Sequence, residues 1–273
     1  METSDNGMPI SMQAYIGMPC YSDCNANPFG VKRACLENGL MGYMTFAFEP
    51  LVCSDLSHTF NMLWCQALNN DFDLFFMLHS DIVPDKDWCR TLWEIMQDTD
   101  ADVVSVLSPI KDEHGIFSAG ISTRENRWKP YYRFSSSQVQ DLPETFSIED
   151  TDCPDKILLV NTGCMLIDLR KPWVRESNPD GSLAHVFDFR HRVIEDDSGN
   201  LRANMEPEDW RMSRFLASRG AKVYATKAVG IYHVGTNAWD SKMVWGPKID
   251  HGADPEYVEM RGRENAKETA CVS

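Results

Sequence analysis

The sequence predicts an α/β fold, a mostly parallel central sheet flanked by helices in a single domain, and three observations carry that reading. Short apolar runs of strand length alternate with segments whose apolar residues recur at helical spacing, the order expected of β-α-β units. One run, Leu74-Phe75-Phe76-Met77-Leu78, is uninterrupted and reads as a strand covered on both faces. It stops at His79-Ser80-Asp81, which places a carboxylate at the C-terminal end of a strand, where open α/β sheets bind ligands.

Each element can be justified in turn. Gln13 to Gly17 form a first strand, followed by a loop rich in Pro, Cys and Asn. Pro28 opens a short helix that Gly39 ends. Tyr43 to Phe48 form the second strand, and Ser54 or Asp55 caps a helix whose apolar positions are Leu56, Phe60, Leu63, Trp64, Ala67 and Leu68. After the strand at 74–78 come a helix over 86–97, with Trp88, Leu92 and Ile95 on one face, and a strand from Val103 to Leu107. Periodicity weakens between Pro109 and Lys156, and a stretch of that length is usually functional or mobile. Ile157 to Val160 and Met165 to Leu169 are strands around Asn161-Thr162-Gly163. A helix over 208–219 follows, with Pro207 near its first position and Gly220 just past its end. Strands at 222–225 and 229–232 lead into His233-Val234-Gly235. Residues 1–11 and 241–273 read as a flexible tail and a C-terminal extension around a domain at 12–240.

With 273 residues the chain can bury a substantial core, and 43% hydrophobic with 25% charged residues is an ordinary globular composition. A net charge of −15 argues against a general electrostatic grip on nucleic acid, although it leaves room for a locally positive cleft. Nine scattered cysteines read as thiols in a reducing compartment; Cys20 and Cys24 have no second Cys/His pair to complete a zinc site. The N-terminus lacks the basic start and apolar core of a signal peptide, and no segment approaches the length of a membrane span. A cytoplasmic protein is the expectation.

Three features carry chemistry: His79-Ser80-Asp81, Glu206-Pro207-Glu208-Asp209-Trp210 at a helix start, and His233 at the end of a strand. Carboxylate with imidazole suits Mn²⁺, and carboxylate alone suits Mg²⁺, so Asp81 and His233 can meet around one ion. Such an ion would neutralise charge developing on a leaving diphosphate. Singly, each feature has a plainer reading: Asp81 as a turn residue, Glu208 and Asp209 as acids favoured in a first helical turn, His233 as a hydrogen-bonded histidine. Their order within one α/β pattern is what favours a site.

That order resembles the GT-A fold glycosyltransferases, closest in style to the family 2-like enzymes of bacteria and phages. The matching segments are AYIGMP (14–19), FFMLHSDIVP (75–84), VNTGCMLIDL (160–169) and EPEDWRMSRFLASRGAKVYATKAVGIYHVG (206–235), so the resemblance covers roughly 12–240. It implies a nucleotide-binding half at 12–108 and an acceptor and catalytic half at 109–240. It implies Asp81 as the second acid of a D-x-D motif and a metal ligand, with His233 completing the shell of Mn²⁺ or Mg²⁺. His79 stands where the family has its first acid, and its role stays open. Asp209, or less favourably Glu208, matches the base that accepts a proton from the acceptor hydroxyl in inverting members. A helix N-terminus favours the ionised form and would keep Asp209 available near neutral pH. If transfer were retaining, that carboxylate would instead position substrate.

The resemblance places the donor, a nucleotide-diphosphate sugar such as a UDP-sugar, near Pro19, Tyr21, Asn61, His79, Ser80 and Asp81. The acceptor, a hydroxyl of a glycan or of a modified base in DNA, falls to Thr162, Gly163, Trp210 and the run Arg124 to Phe134. In that run Arg127, Trp128 and Tyr131 interleave cations with aromatics that suit stacking and phosphate contact. A solvated loop tucking its aromatics onto the core explains the run equally well. Two other functions fit less: a sugar nucleotidyltransferase, disfavoured because Gly17-Met18-Pro19-Cys20-Tyr21 is no Gly-rich basic phosphate loop, and a non-catalytic sugar- or nucleotide-binding homologue.

Overall fold

The computed structural model describes residues 12–20, 44–53, 55–112, 114–235 and 238–242, and the expected helix at 28–39, Tyr21, residues 1–11 and residues 243–273 lie outside them. The central sheet has seven strands: β1 (Met12–Cys20), β2 (Met44–Val52), β3 (Leu74–Leu78), β5 (Val103–Val106), β8 (Thr145–Phe146), β10 (Cys164–Asp168) and β13 (Val223–Thr226). Their spatial order is β2-β1-β3-β10-β5-β13-β8. Pairing of β1 with β2 and β3, and of β5 with β13, is parallel, whereas β10 runs antiparallel to both β3 and β5, and β8 antiparallel to β13. Five strands therefore share one direction, and a reversed strand is wedged into the middle of the sheet.

Helix α1 (Leu56–Asn69) starts where expected, because the Asp55 carboxylate accepts a hydrogen bond from the His58 amide at 3.0 Å. It packs Phe60, Leu63, Trp64 and Ala67 against one face of the sheet, and α2 (Trp88–Thr99) packs Trp88, Cys89, Leu92 and Trp93 against the other. Strand β3 serves both layers. Phe75 and Met77 join the α1 side, and Leu74, Phe76 and Leu78 the α2 side, all fully buried. Each such side chain contributes about 1.5–3 kcal/mol of transfer free energy. The thiols of Cys20, Cys89, Cys153 and Cys164 are buried, as core residues.

Elsewhere the structure departs from the sequence reading. The weakly periodic stretch is ordered: β6 (Ile116–Ser122), β7 (Tyr132–Ser135) and α3 (Ser136–Asp141) lie in it, and β9 (Ile157–Leu159) adds to β6 in a three-stranded side sheet. Its strands are short and β6 pairs with an irregular register, so no alternation accumulates. The two strands around Asn161-Thr162-Gly163 thus belong to different sheets. Strand β14 (Ile231–Val234) leaves the central sheet to pair with β4 (Ile82–Pro84) and β15 (Ala238–Asp240). A hairpin of β11 (Arg190–Glu195) and β12 (Leu201–Glu206) leads into α4 (Glu208–Ser218). Gly220 ends α4 at φ +65°, a conformation most L side chains avoid.

Candidate functional site

The reversed strand brings distant segments together at the C-terminal end of β3. Because β10 lies antiparallel beside β3, its start, Asn161-Thr162-Gly163, sits against the residues that follow Leu78. The His79 amide donates to the Gly163 carbonyl at 2.8 Å. An added Cβ at Gly163 would lie 2.5 Å from both Asn161 Oδ1 and Ile82 Cδ1, so a larger residue there requires those side chains to shift. On the other side, pairing of β4 with β14 places His233 opposite Ile82, and the Val234 amide donates to the Asp81 carbonyl at 2.7 Å.

Asp81 is the centre of this arrangement. His233 Nε2 lies 3.3 Å from its Oδ2, and Lys111 Nζ lies 2.6 Å from the same oxygen. Burial raises the Asp81 carboxyl, but the hydrogen bonds from His233 and Lys111 more than reverse this and hold it well below the usual carboxylate range. His233 Nδ1 lies 2.7 Å from the Pro109 carbonyl oxygen, which can only accept, so that nitrogen carries a hydrogen. Nε2 then faces a carboxylate oxygen, and the contact needs either a second proton on the ring or a cation shared by the two groups.

A chain of contacts runs from Asp81 inward. His79 packs its ring on Phe60 at 5.2 Å, and its Nε2 lies 3.3 Å from Thr162 Oγ1. Burial lowers the His79 pKa to about 4, against the pull of Asp81, so the ring is neutral at physiological pH. Fully buried Thr162 in turn donates to Glu208 Oε1 at 3.3 Å. Asp209 accepts from its neighbour's amide, Trp210 N, at 2.7 Å and from Asn161 Nδ2 at 3.4 Å. Burial raises both carboxyl pKa values, and for Glu208 the charge of Asp209 adds to it. For Asp209 burial at 7% exposure works against the helix N-terminus and lifts the carboxyl to about 6, a value at which it still ionises near neutral pH.

The structure therefore joins Asp81 to His233 directly, and His79 to Glu208 through Thr162. Other expected site residues are engaged differently. Asn61 is tied to the chain at Phe187, its Nδ2 donating to the carbonyl at 2.7 Å and its Oδ1 accepting from the amide at 2.9 Å. Trp210, expected at the acceptor, is buried against Ile157 and Leu159, with the Arg133 guanidinium 5.1 Å above its ring. Thr162 and Gly163 are likewise interior positions. Pro19 is buried near the end of β1, opposite Leu51, and Ser80 lies in the turn between β3 and β4. Trp128 packs under Arg192 at 4.3 Å, and Tyr131 stays 42% exposed with Lys156 Nζ 5.0 Å from its ring. Arg127, the residue before Trp128, is exposed, with its Nη1 4.0 Å from Glu206 Oε2.

Lys111, Asn161 and Pro109 join the site although the sequence pattern does not single them out. The one available signal for Lys111 is its place after β5, at the same edge of the sheet as Asp81, and nothing in that signal names a carboxylate partner. Among the described residues no group of three or more His, Cys, Asp or Glu side chains is placed to hold a metal, and no helix is long and apolar enough to cross a membrane. No family model and no curated protein sequence matches the chain. Among solved structures, the crystal structure of A197 from STIV is similar over 89% of this chain and 97% of that one, with a TM-score of 0.47 and 13% identity. A likeness that loose carries no argument about activity.

Proposed function

We propose that the chain is a glycosyltransferase of the GT-A type, moving a sugar from a nucleotide-diphosphate donor to a hydroxyl acceptor. The observation that supports this reading is the gathering of Asp81, His233, His79, Thr162 and the Glu208–Asp209 pair at one end of the sheet, on the strand ends where α/β folds bind phosphates. The order of these groups is the one the family resemblance implies.

In this reading the Asp81 carboxylate and His233 Nε2 would be the residues that hold a divalent cation, Mn²⁺ or Mg²⁺. The fit rests on His233: its Nδ1 hydrogen is committed to Pro109, which orients the Nε2 lone pair toward Asp81, as in histidines fixed for metal binding. The ion supplies charge neutralisation at the leaving diphosphate. Lys111 Nζ now occupies the Asp81 oxygen that a cation would share, and its positive charge would suit a leaving diphosphate. The Glu208–Asp209 pair is buried and raised in pKa, which suits a general base working near neutral pH. Neutral His79 and Thr162 fix the pair relative to the donor side.

The Lys111–Asp81 contact favours one variant of this reading, in which the Lys111 ammonium itself balances the diphosphate charge and no metal is needed. Donor hydrolysis with and without a chelator decides between the two. For the transferase reading as a whole, nucleotide sugars should raise the melting temperature with Mn²⁺ present, since a ligand that binds only the folded state stabilises it by mass action. Asp81→Ala and Asp209→Asn should each lose donor turnover while retaining the fold; turnover surviving in both would remove the proposal.

A further inference from the structure

Behind the start of α4 lies a cavity of about 250 Å³ lined by Arg127, Arg190, Glu206, Arg211, Arg214 and His185, among others. In a protein of net charge −15, four guanidinium groups around one cavity are a local reversal of sign. We propose that this cavity binds a phosphate monoester dianion, and, resting on the transferase reading, that the acceptor of the transfer carries this group.

The roles of the four arginines differ. Arg214 is a fixture: its Nη1 donates to the Thr123 carbonyl at 2.7 Å, its Nη2 to Asn126 O at 2.9 Å, and its Nε lies 3.2 Å from Glu206 Oε1. Glu206 is buried, and its second oxygen has no hydrogen-bond partner; Arg127 Nη1 approaches it only to 4.0 Å. Arg211 is paired with the half-exposed carboxylate of Asp188. Arg190 stands opposite Glu206 in the β11–β12 register and makes no side-chain hydrogen bond or ion pair among the described residues. Four positive groups thus meet two carboxylates, and the surplus of two matches the charge of a phosphate monoester rather than that of a diester. His185, 3% exposed, lines the same cavity, and its own Nε2 is buried without a hydrogen-bond partner. The guanidinium forks suit the bidentate geometry of phosphate oxygens.

The cavity adjoins the candidate site through the chain itself, since Glu206 is two residues before Glu208. A phosphorylated acceptor anchored there would present its hydroxyls near the start of α4. From the cation-rich run, Arg127 contributes to the wall.

The test is calorimetric titration of the full chain at fixed ionic strength with inorganic phosphate, glucose 6-phosphate and dimethyl phosphate. Saturable binding of the first two, with the diester weaker by about tenfold or more, is the expected result, each charge-assisted bond contributing on that scale. Arg190→Gln should weaken phosphate by about tenfold or more at unchanged melting temperature, and Arg190→Lys should recover part of the loss. Asp81→Ala should bind phosphate as the wild type does, so that failure of the transferase reading leaves this site standing. Absence of saturable binding, equal affinity for the diester, or phosphate binding unaffected by Arg190→Gln would each overturn the proposal.

Discussion

Lys111 decides on what terms Asp81 can work. Its ammonium and the His233 ring share one carboxylate oxygen, at 2.6 and 3.3 Å, so a divalent ion and the lysine compete for it. Removing the lysine in Lys111→Ala should tighten Mn²⁺ binding by about tenfold, the scale of one charge-assisted contact, as read by titration of the apparent Mn²⁺ affinity. Unchanged affinity would mean the ion does not use that oxygen. The second residue-scale expectation concerns Gly163. A methyl there collides with Asn161 Oδ1 and Ile82 Cδ1, each at 2.5 Å, and Asn161 is also the partner of Asp209. Gly163→Ala should cost about 1–3 kcal/mol in urea denaturation, the range for overpacking a filled interior. Asp81 was legible in the sequence because an apolar run ended at it; Lys111 was not, since a lysine in a loop carries no mark of the carboxylate it will meet. Trp210 came to the acceptor side only through the family resemblance, and the structure buries it against Ile157 and Leu159 of the side sheet.

At the scale of the element, the start of α4 shows a local rule overridden by packing. Glu208 and Asp209 in a first helical turn should be held ionised by the helix N-terminus. Burial beneath β9 and the Thr162–Asn161 segment raises both instead, a consequence of tertiary neighbours from which no local pattern can be read. In the unfolded chain these carboxyls lose their protons around pH 4, whereas in the folded chain they keep them to higher pH, so the unfolded state binds fewer protons in between. Stability should therefore fall as pH rises from that range through the folded-state values, and Glu208→Gln should flatten the decline in melting temperature measured against pH. Donor turnover should move the other way over the same interval, rising as the pair ionises to act as a base. A wild-type melting temperature that rises with pH across this window would show that the pair is not buried as described.

For the whole molecule, the part of the fold visible beforehand is the part in which local pattern and tertiary placement agree. The strands β1, β3 and β5 and the helices α1 and α2 announced themselves by apolar runs and helical spacing because each packs as its own sequence suggests. The reversal of β10 was hidden, since an apolar run has no direction, and yet it creates the site by carrying Asn161-Thr162-Gly163 to the end of β3. The β11–β12 hairpin was hidden because its apolar residues do not mark its inner face: Val193 is 67% and Leu201 74% exposed on one face, while the other turns Arg190, Arg192 and buried Glu206 toward the protein. The same contrast extends to dynamics. Hairpin strands pair only with each other, whereas β3 is bonded on both sides and wholly buried. Two-stranded ribbons are marginal alone, and opening one exposes little new apolar surface. In native-state hydrogen exchange the amides of 192–203 should therefore open locally, at far lower free energy than those of 74–78, which should exchange only on global unfolding. Increasing denaturant should accelerate exchange in β3 with a steep dependence and leave the hairpin nearly unaffected, because the slope follows the surface exposed. Equal protection and equal slopes in the two regions would show that the hairpin is held by contacts beyond its own pairing.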